Sequence, residues 1–212
     1  MNDARRKKVF AVVLAAGSAS RFGSAKQLAE ADGVALVKRA VDAACGACER
    51  NVAVVIGHEW QSVSNACMPF DGFLIVNDSF ADGIGSSIAA AIRRLRHAAD
   101  AVIIMLADQP LVTTEHIRSL VDSWSGAADE IVVTAFADTC GPPVLFPRDC
   151  FEDLAALEGD SGGRHLLDDP RFVVSNVRFE DAAVDVDSPA DLDVAVAGGR
   201  FLDHRGAQRS EP

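Results

Sequence analysis

The chain has no apolar run approaching the roughly 18 residues that a membrane-spanning helix requires, so no transmembrane segment is expected. It has no surplus of basic residues. Against 31 Asp and Glu stand 20 Lys and Arg, a formal net charge of −11. The deficit deepens toward the carboxyl end, where 15 acidic residues face 4 arginines between Asp129 and Asp191. Binding nucleic acid or an anionic membrane depends on clustered Lys and Arg, and this balance excludes both partners. A phosphorylated ligand would need a local positive pocket or a divalent cation. Cysteine is scarce and odd in number, five in 212 residues, which argues for reduced thiols and a cytoplasmic location. Cys45-Gly-Ala-Cys48 has no second pair to complete a zinc site and falls in a helical pattern, so both thiols are read as small buried helix residues. Neither the G-x-G-x-x-G dinucleotide fingerprint nor the Gly-Lys-Ser/Thr of a P-loop is present, which weighs against a nicotinamide-dependent oxidoreductase. No internal repeat is visible.

What is present is an ordinary globular composition, 49% hydrophobic and 24% charged, in a length that suits one domain. Residues 1–8, with the cluster Arg5-Arg6-Lys7-Lys8, read as a basic tail. The apolar stretch Val9–Ala16 runs into a glycine loop with no cleavage site for a signal peptidase, so it reads as a strand. Residues 9–197 form the expected domain, and 198–212, lacking periodicity, read as a flexible tail. Within the domain, apolar β-branched runs at Val9–Ala15, Asn51–Ile56, Gly72–Val76 and Ala101–Leu106 alternate with helical patterns. The helices are expected near Ala35–Glu49, from about Glu59, at Ser86–His97 and at Thr113–Trp124. Continuously apolar strands joined by helices predict a single three-layer, Rossmann-like α/β domain with a mostly parallel sheet. After Asp129 the rhythm changes to two short strands, Ile131–Ala135 and Pro143–Phe146, expected as a small antiparallel element. A helix near Asp149–Leu157, a strand at Phe172–Asn176 and a final strand-helix unit from Ala183 complete the reading. Ser188-Pro-Ala-Asp191 has the spacing of a capping box.

Such sheets place ligands at the carboxyl ends of their strands, and five segments there carry chemistry. The loop Leu14-Ala15-Ala16-Gly17 through Lys26 combines small residues with the cations Arg21 and Lys26, a combination suited to polyphosphate. Its alternative is a surface loop with two solvated cations. Asp108, in Asp108-Gln109-Pro110 after the fourth strand, is placed to hold Mg²⁺ against phosphate oxygens, or else belongs to a turn before a helix. Asp185 and Asp187, two apart in an expected strand, would present both carboxylates to one side. Asp187 could instead cap the following helix. Gly83-Ile-Gly-Ser86-Ser87 opens a helix, where free N–H groups and hydroxyls favour an anion or ribose, or make a plain cap. Gly159-Asp160-Ser-Gly-Gly-Arg164 holds an arginine that clamps a second substrate or simply turns the chain.

Taken in order, these segments resemble the MobA-like nucleotidyltransferases, and within them the molybdenum cofactor cytidylyltransferase branch. The resemblance runs over about residues 9–197. It rests on Leu14-Ala-Ala-Gly17…Ser20-Arg21-Phe22-Gly23…Lys26-Gln-Leu28, Asn77…Gly83-Ile-Gly-Ser-Ser-Ile88, Leu106-Ala-Asp-Gln-Pro110, Gly141-Pro-Pro-Val-Leu-Phe146, Gly159–Arg164 and Asp185-Val-Asp-Ser-Pro189. The double alanine before Gly17 is similar to the cytidylyl branch, whereas the guanylyl branch usually has Ala-Gly-Gly. Three positions depart from the pattern: Gly85 replaces a usual serine, Pro142 a usual histidine, and the usual proline before the first helix is missing from Gly33-Val-Ala-Leu36.

The resemblance implies Mg²⁺-dependent transfer of CMP from CTP to the phosphate of molybdenum cofactor (molybdopterin), with release of pyrophosphate. It implies a catalytic set of Arg21, Lys26 and Asp108, and a metal held by Asp108 and Asp187. The nucleotide would contact Leu14–Gly17, Arg21, Lys26, Asn77, Ser86, Ser87 and Asp108. The acceptor would contact Gly141, Pro143, Gly159, Asp160 and Arg164. A molybdenum hydroxylase of the xanthine or carbon monoxide dehydrogenase type would receive the product. Alternatives are a guanylyltransferase on the same cofactor with GTP, a cytidylyltransferase on another phosphorylated small molecule, and a non-catalytic cofactor chaperone.

Overall fold

A computed structural model describes residues 7–18, 25–188 and 190–193. Its centre is a seven-stranded sheet built from β1 (Val9–Ala15), β4 (Val52–Ile56), β5 (Phe73–Val76), β6 (Ala101–Leu106), β7 (Glu130–Phe136), β8 (Thr139–Pro147) and β9 (Val173–Arg178), in the order β5-β4-β1-β6-β8-β7-β9. The first four of these strands pair in parallel, and β9 runs parallel to β7. Only β8 runs against its neighbours β6 and β7. A separate two-stranded antiparallel ribbon joins β2 (Glu30–Ala31) to β3 (Val34–Ala35).

The period-2 alternation of β1 explains the layers. Val9, Ala11, Val13 and Ala15 pack into one apolar core, whereas Phe10, Val12, Leu14 and Ala16 pack into the other. The first core is covered by α1 (Leu36–Cys48), α2 (Trp60–Cys67) and α4 (Thr114–Ser123), which contribute Val37, Val41, Val63, Ile117 and Leu120. The second is covered by α3 (Ile84–Leu95) and α5 (Phe151–Ala155), through Ile88, Ile92, Leu95, Phe151 and Leu154. Both faces are therefore apolar, which is why the strands read as continuous hydrophobic runs instead of alternating ones.

Most expected elements are present within two residues of the reading. Thr113 caps α4 through its hydroxyl, which accepts from the His116 N–H. The expected antiparallel pair is present but longer than anticipated, and it belongs to the main sheet. The segment near Asp149–Leu157 divides into a 3-10 turn at Arg148–Cys150 followed by the short α5. Two expectations fail. Glu30–Ala35, read as loop, forms the ribbon, a pairing of two residues per strand that leaves no periodic signal. Residues 184–187, read as a strand, make no ladder. They follow a 3-10 turn at Glu180–Ala183 and are held instead by backbone bonds from the Val184 N–H to the Asp181 carbonyl, 3.2 Å, and from the Val186 N–H to the Asp108 carbonyl, 3.0 Å. The capping box is reciprocal: Ser188 Oγ accepts from the Asp191 N–H, and the Asp191 carboxylate accepts from the Ser188 N–H at 2.7 Å. Residues 1–6, 19–24, Pro189 and 194–212, including the 198–212 tail, lie outside the described residues. All five thiols are free, and burial pushes Cys48 and Cys67 up to about 11, which keeps them protonated and unreactive.

His116 shows how α4 is fastened to the sheet. Its ring stacks on Phe179 at 4.2 Å, and Nε2 lies 2.8 Å from Thr134 Oγ1. The Thr134 hydroxyl has one proton and donates it to the Pro143 carbonyl, so His116 is the donor in the other bond. Burial holds the imidazole down at about 4, against an ordinary value near 6.5. The unfolded chain thus takes up this proton more readily than the folded one between those limits. Stability from this group is complete above pH 6.5 and falls as pH drops toward 4, by up to about 1.4 kcal/mol per unit. Urea midpoints recorded from pH 7 to pH 4 should decline, and His116→Gln should decline less steeply. An equal decline in the variant would remove His116 as the cause.

Candidate active site

The sheet order reverses beside β1: the chain moves outward through β4 and β5, then returns to add β6 on the other side. A crevice opens at such a reversal, at the carboxyl ends of the strands. Here it is a cavity of about 420 Å³, lined by the loop after β1, the start of α3 and the segment Leu106–Asp108 after β6. Of the residues expected to bind nucleotide, Leu14, Ala15, Ala16, Gly17, Lys26, Ser87 and Asp108 line it. Asn77 and Ser86 stand behind the wall, where the Asn77 amide donates to Ser86 Oγ (2.9 Å) and Ser87 Oγ (3.0 Å). Arg21 lies outside the described residues.

Gln27 was not singled out in the sequence, and it shapes this wall. Buried at 5% exposure, its amide donates to the carbonyls of Ala15 (3.0 Å) and Gly17 (2.9 Å) and fixes the loop's course. The motif Lys26-Gln-Leu28 includes this residue but gives it no role, and the fold shows what it does.

At the mouth of the cavity, Lys26 Nζ lies 2.6 Å from Asp108 Oδ2 and 2.7 Å from Asp187 Oδ1. Burial disfavours the ammonium, but hydrogen bonds and charge from both carboxylates outweigh it and hold Lys26 above its ordinary value. Asp185 stands nearby, pushed up to about 6 by partial burial and next by the charge of Asp108. The two aspartates converge without a strand because Val186 between them is fully buried against Ala31, Leu36 and Leu192, and its N–H is tied to Asp108. The unforeseen ribbon thus supplies the floor on which the acidic loop sits.

A second cavity of about 320 Å³ adjoins the first, and Ile84 and Leu106 line both. Gly141 and Arg164 line it, together with Gln109, Asp185 and the apolar Ile104, Phe136, Val144 and Phe146. Successive residues therefore open to different cavities, Asp108 to the first and Gln109 to the second. Pro142 projects into the second cavity because the β7–β8 register jumps: Val133 faces Val144 but Thr134 faces Gly141. Pro143 is buttressed through its carbonyl by Thr134. Asp160, grouped with the acceptor residues in the sequence, instead lines the first cavity.

The turn at Gly159-Asp160 is seated on the start of α3. Gly83 has φ +100°, and a Cβ there would lie 2.4 Å from the Gly159 backbone. The Gly85 N–H donates to the Gly159 carbonyl at 2.9 Å, and a side chain at 85 would meet the Glu158 backbone at 2.9 Å. The departure from serine at this position therefore matches a close backbone approach.

The match to known proteins covers most of this architecture. The model for the MobA-like NTP transferase domain matches residues 11–176. The chain belongs to this family. It is a family of NTP transferases, and the protein is a nucleotidyltransferase. Among curated relatives of this MobA-like chain is the purine catabolism protein PucB of Bacillus subtilis, 27% identical over 90% of this chain and 97% of that one. Bifunctional protein GlmU of Bifidobacterium animalis subsp. lactis is 29% identical, but the chain spans only 43% of its length. Among solved structures, Rv0371c of Mycobacterium tuberculosis superposes with a TM-score of 0.79 at 28% identity, covering 90% of this chain and 98% of that one. Its homologue from Mycobacterium sp. strain JC1 gives 0.80 at 29% identity, covering 92% and 98%. Rv0371c has also been solved in complex with manganese.

The donor set here suits a hard cation. Asp108 Oδ1 is buried and has no hydrogen-bond partner, an arrangement that is costly unless a ligand completes it. Among the described residues no group of three or more His, Cys, Asp or Glu side chains is arranged around a metal position. Two carboxylates are nevertheless what Mg²⁺ or Mn²⁺ needs when phosphates and water supply the other ligands. No helix among the described residues is long and apolar enough to cross a membrane.

Proposed function

We propose that the protein transfers CMP from CTP to the phosphate of molybdenum cofactor, releasing pyrophosphate, with Mg²⁺ as the working cation. The observation that carries this reading is the pair of adjoining cavities, the first lined by Lys26 and Asp108, the second by Asp185, with Asp187 paired to Lys26. A two-substrate displacement needs such a seam, because the nucleophile and the leaving group must lie in line on opposite sides of one phosphorus. CTP occupies the first cavity against Leu14–Gly17 and Ser87. The acceptor lies in the second, against Gly141, Pro142, Gly162, Gly163 and Arg164.

In the step itself, an oxygen of the acceptor phosphate attacks the α-phosphorus, and the bond to the β-phosphate oxygen breaks with its electron pair leaving on pyrophosphate. The protein forms no covalent intermediate and works by position and charge. Asp108 and Asp187 would hold Mg²⁺, whose charge would neutralise triphosphate oxygens. Lys26, freed from the two carboxylates, and Arg21 neutralise the β- and γ-phosphates. Cytosine preference is attributed to the Ala15-Ala16 pair before Gly17. The product would pass to a molybdenum hydroxylase, in keeping with a cytoplasmic protein.

The test is pyrophosphate release by the purified protein with Mg²⁺, molybdopterin and each nucleoside triphosphate in turn. CTP alone should support release. Release with GTP instead would retain the mechanism and overturn the base assignment, and no release with any triphosphate would overturn molybdopterin as the acceptor.

A further inference from the structure

Behind the wall of the first cavity, a small network of hydrogen bonds has a direction that the structure fixes. Asn77 is only 6% exposed, and its Oδ1 accepts from the Ser79 backbone N–H at 3.1 Å. That bond settles which end of the amide is oxygen, since a reversed amide would set two N–H donors against each other. Nδ2 therefore faces the serines, with one proton for Ser86 Oγ at 2.9 Å and the other for Ser87 Oγ at 3.0 Å. The two hydroxyls then differ. Ser86 Oγ lies 2.8 Å from both the Ser79 and the Gly83 carbonyl, so its proton is spent inside the protein. Ser87 is 5% exposed and lines the cavity, and its hydroxyl proton has no acceptor among the described residues. An amide NH₂ group offers no acceptor, so that proton cannot turn back toward Asn77. The direction left open to it is the cavity.

We propose that Asn77 is a positioning residue for the nucleotide. By donating to Ser87 Oγ it commits that hydroxyl to the role of donor, and the proton so presented meets an acceptor atom of the bound nucleoside triphosphate. The inference rests on the nucleotide reading of the first cavity, to which it adds the residue that sets the polarity of one contact. Asn77 does not line the cavity and acts through Ser87, which does. It is itself held on two sides, by Ser79 and by its own N–H on the Ile56 carbonyl at 2.8 Å, so the amide is a fixed reference and not a rotor. Buried networks of this kind couple their members, and a change in one donor is felt at the next hydroxyl.

The experiment is a double-mutant cycle read by calorimetric titration of Mg²⁺-CTP without acceptor. Ser87→Ala should weaken binding about tenfold, the scale of one lost hydrogen bond in a buried site. Asn77→Asp keeps the shape and the bond from Ser79 but replaces the donor by an acceptor, which draws the Ser87 proton out of the cavity. It should weaken binding by a similar factor. Asn77→Ala, which adds no charge, should give a smaller loss. In either double variant the loss should stay within about twofold of Ser87→Ala alone, because the residue through which Asn77 acts is already gone. A mere brace for α3, or simple charge repulsion, would weaken binding equally in both backgrounds. Losses that multiply in both double variants would therefore overturn the proposal. Ribose 5-triphosphate locates the acceptor atom: a Ser87→Ala effect that persists with it belongs to the sugar-phosphate, and one that disappears belongs to the base. If the wild type binds a different nucleoside triphosphate in place of CTP, the cycle is run on that one. No binding of any triphosphate would overturn the nucleotide reading and this inference with it. Non-additive losses without pyrophosphate release keep the inference and remove the reaction, whereas release with multiplying losses does the reverse.

Discussion

Asp108→Asn is expected to slow pyrophosphate release by about 10²–10³-fold, the usual cost of deleting one preorganised electrostatic contact to a developing charge. The substitution keeps shape and removes charge. It should leave the fold intact, because the bond that fastens the acidic loop uses the Asp108 main-chain carbonyl and not its side chain. It takes away one of two anions gripping Lys26, and one of the charges that raise Asp185 from its ordinary value to about 6. The Asp185 carboxyl should therefore titrate at lower pH in the variant, a change readable by carbon NMR without any substrate. Near-normal turnover in Asp108→Asn would exclude Asp108 from the proposed metal site.

Lys26→Met is expected to produce effects of opposite sign in catalysis and in cation binding. Turnover should fall by about 10²–10³-fold, because the β- and γ-phosphates lose a fixed counter-charge. Binding of Mn²⁺ alone, followed by electron paramagnetic resonance of the free ion, should become tighter by about tenfold or more. In the ligand-free protein, the ammonium holds both carboxylates that a metal would use, through charge-assisted bonds of 2.6 and 2.7 Å. A cation arriving without nucleotide must displace it. When the triphosphate arrives as well, Lys26 exchanges two carboxylates for phosphate oxygens and the displacement carries little penalty. Unchanged or weaker Mn²⁺ binding in Lys26→Met would show that the lysine does not compete for those aspartates.

How much of this was legible beforehand depends on whether a residue's role is local. The four parallel strands were readable because burial on both faces makes them continuously apolar, as in Ala101–Leu106, whose bounds coincide with the expected ones. The Thr113 cap and the Ser188–Asp191 box were readable because a capping pair lies within one turn. The spacing of Asp185 and Asp187 suggested two carboxylates on one side of a strand, but the strand is absent, Asp187 pairs with Lys26 and Asp185 lines the second cavity. What turns both carboxylates away from the core is the burial of Val186 between them. The 159–164 segment was read as a unit serving the acceptor, but the turn divides it. Asp160 goes to one cavity and Arg164 to the other, a consequence of how Gly159 sits on the start of α3.

By itself, the sequence determined the layered parallel sheet, the family and the chemical kind of the site, since hydrophobic period, turn residues and motif order are all written along the chain. Only the tertiary structure decided that Lys26 bridges the two aspartates, that Gln27 ties down the first loop and that Gln109, in the wall of a second cavity, is tied to Ala182. Those facts depend on segments from opposite ends of the chain meeting, Lys26 with Asp187 and Gln109 with Ala182. Such meetings are set by the register of β6 and by the packing of Val186 on the ribbon, which no local pattern of residues encodes.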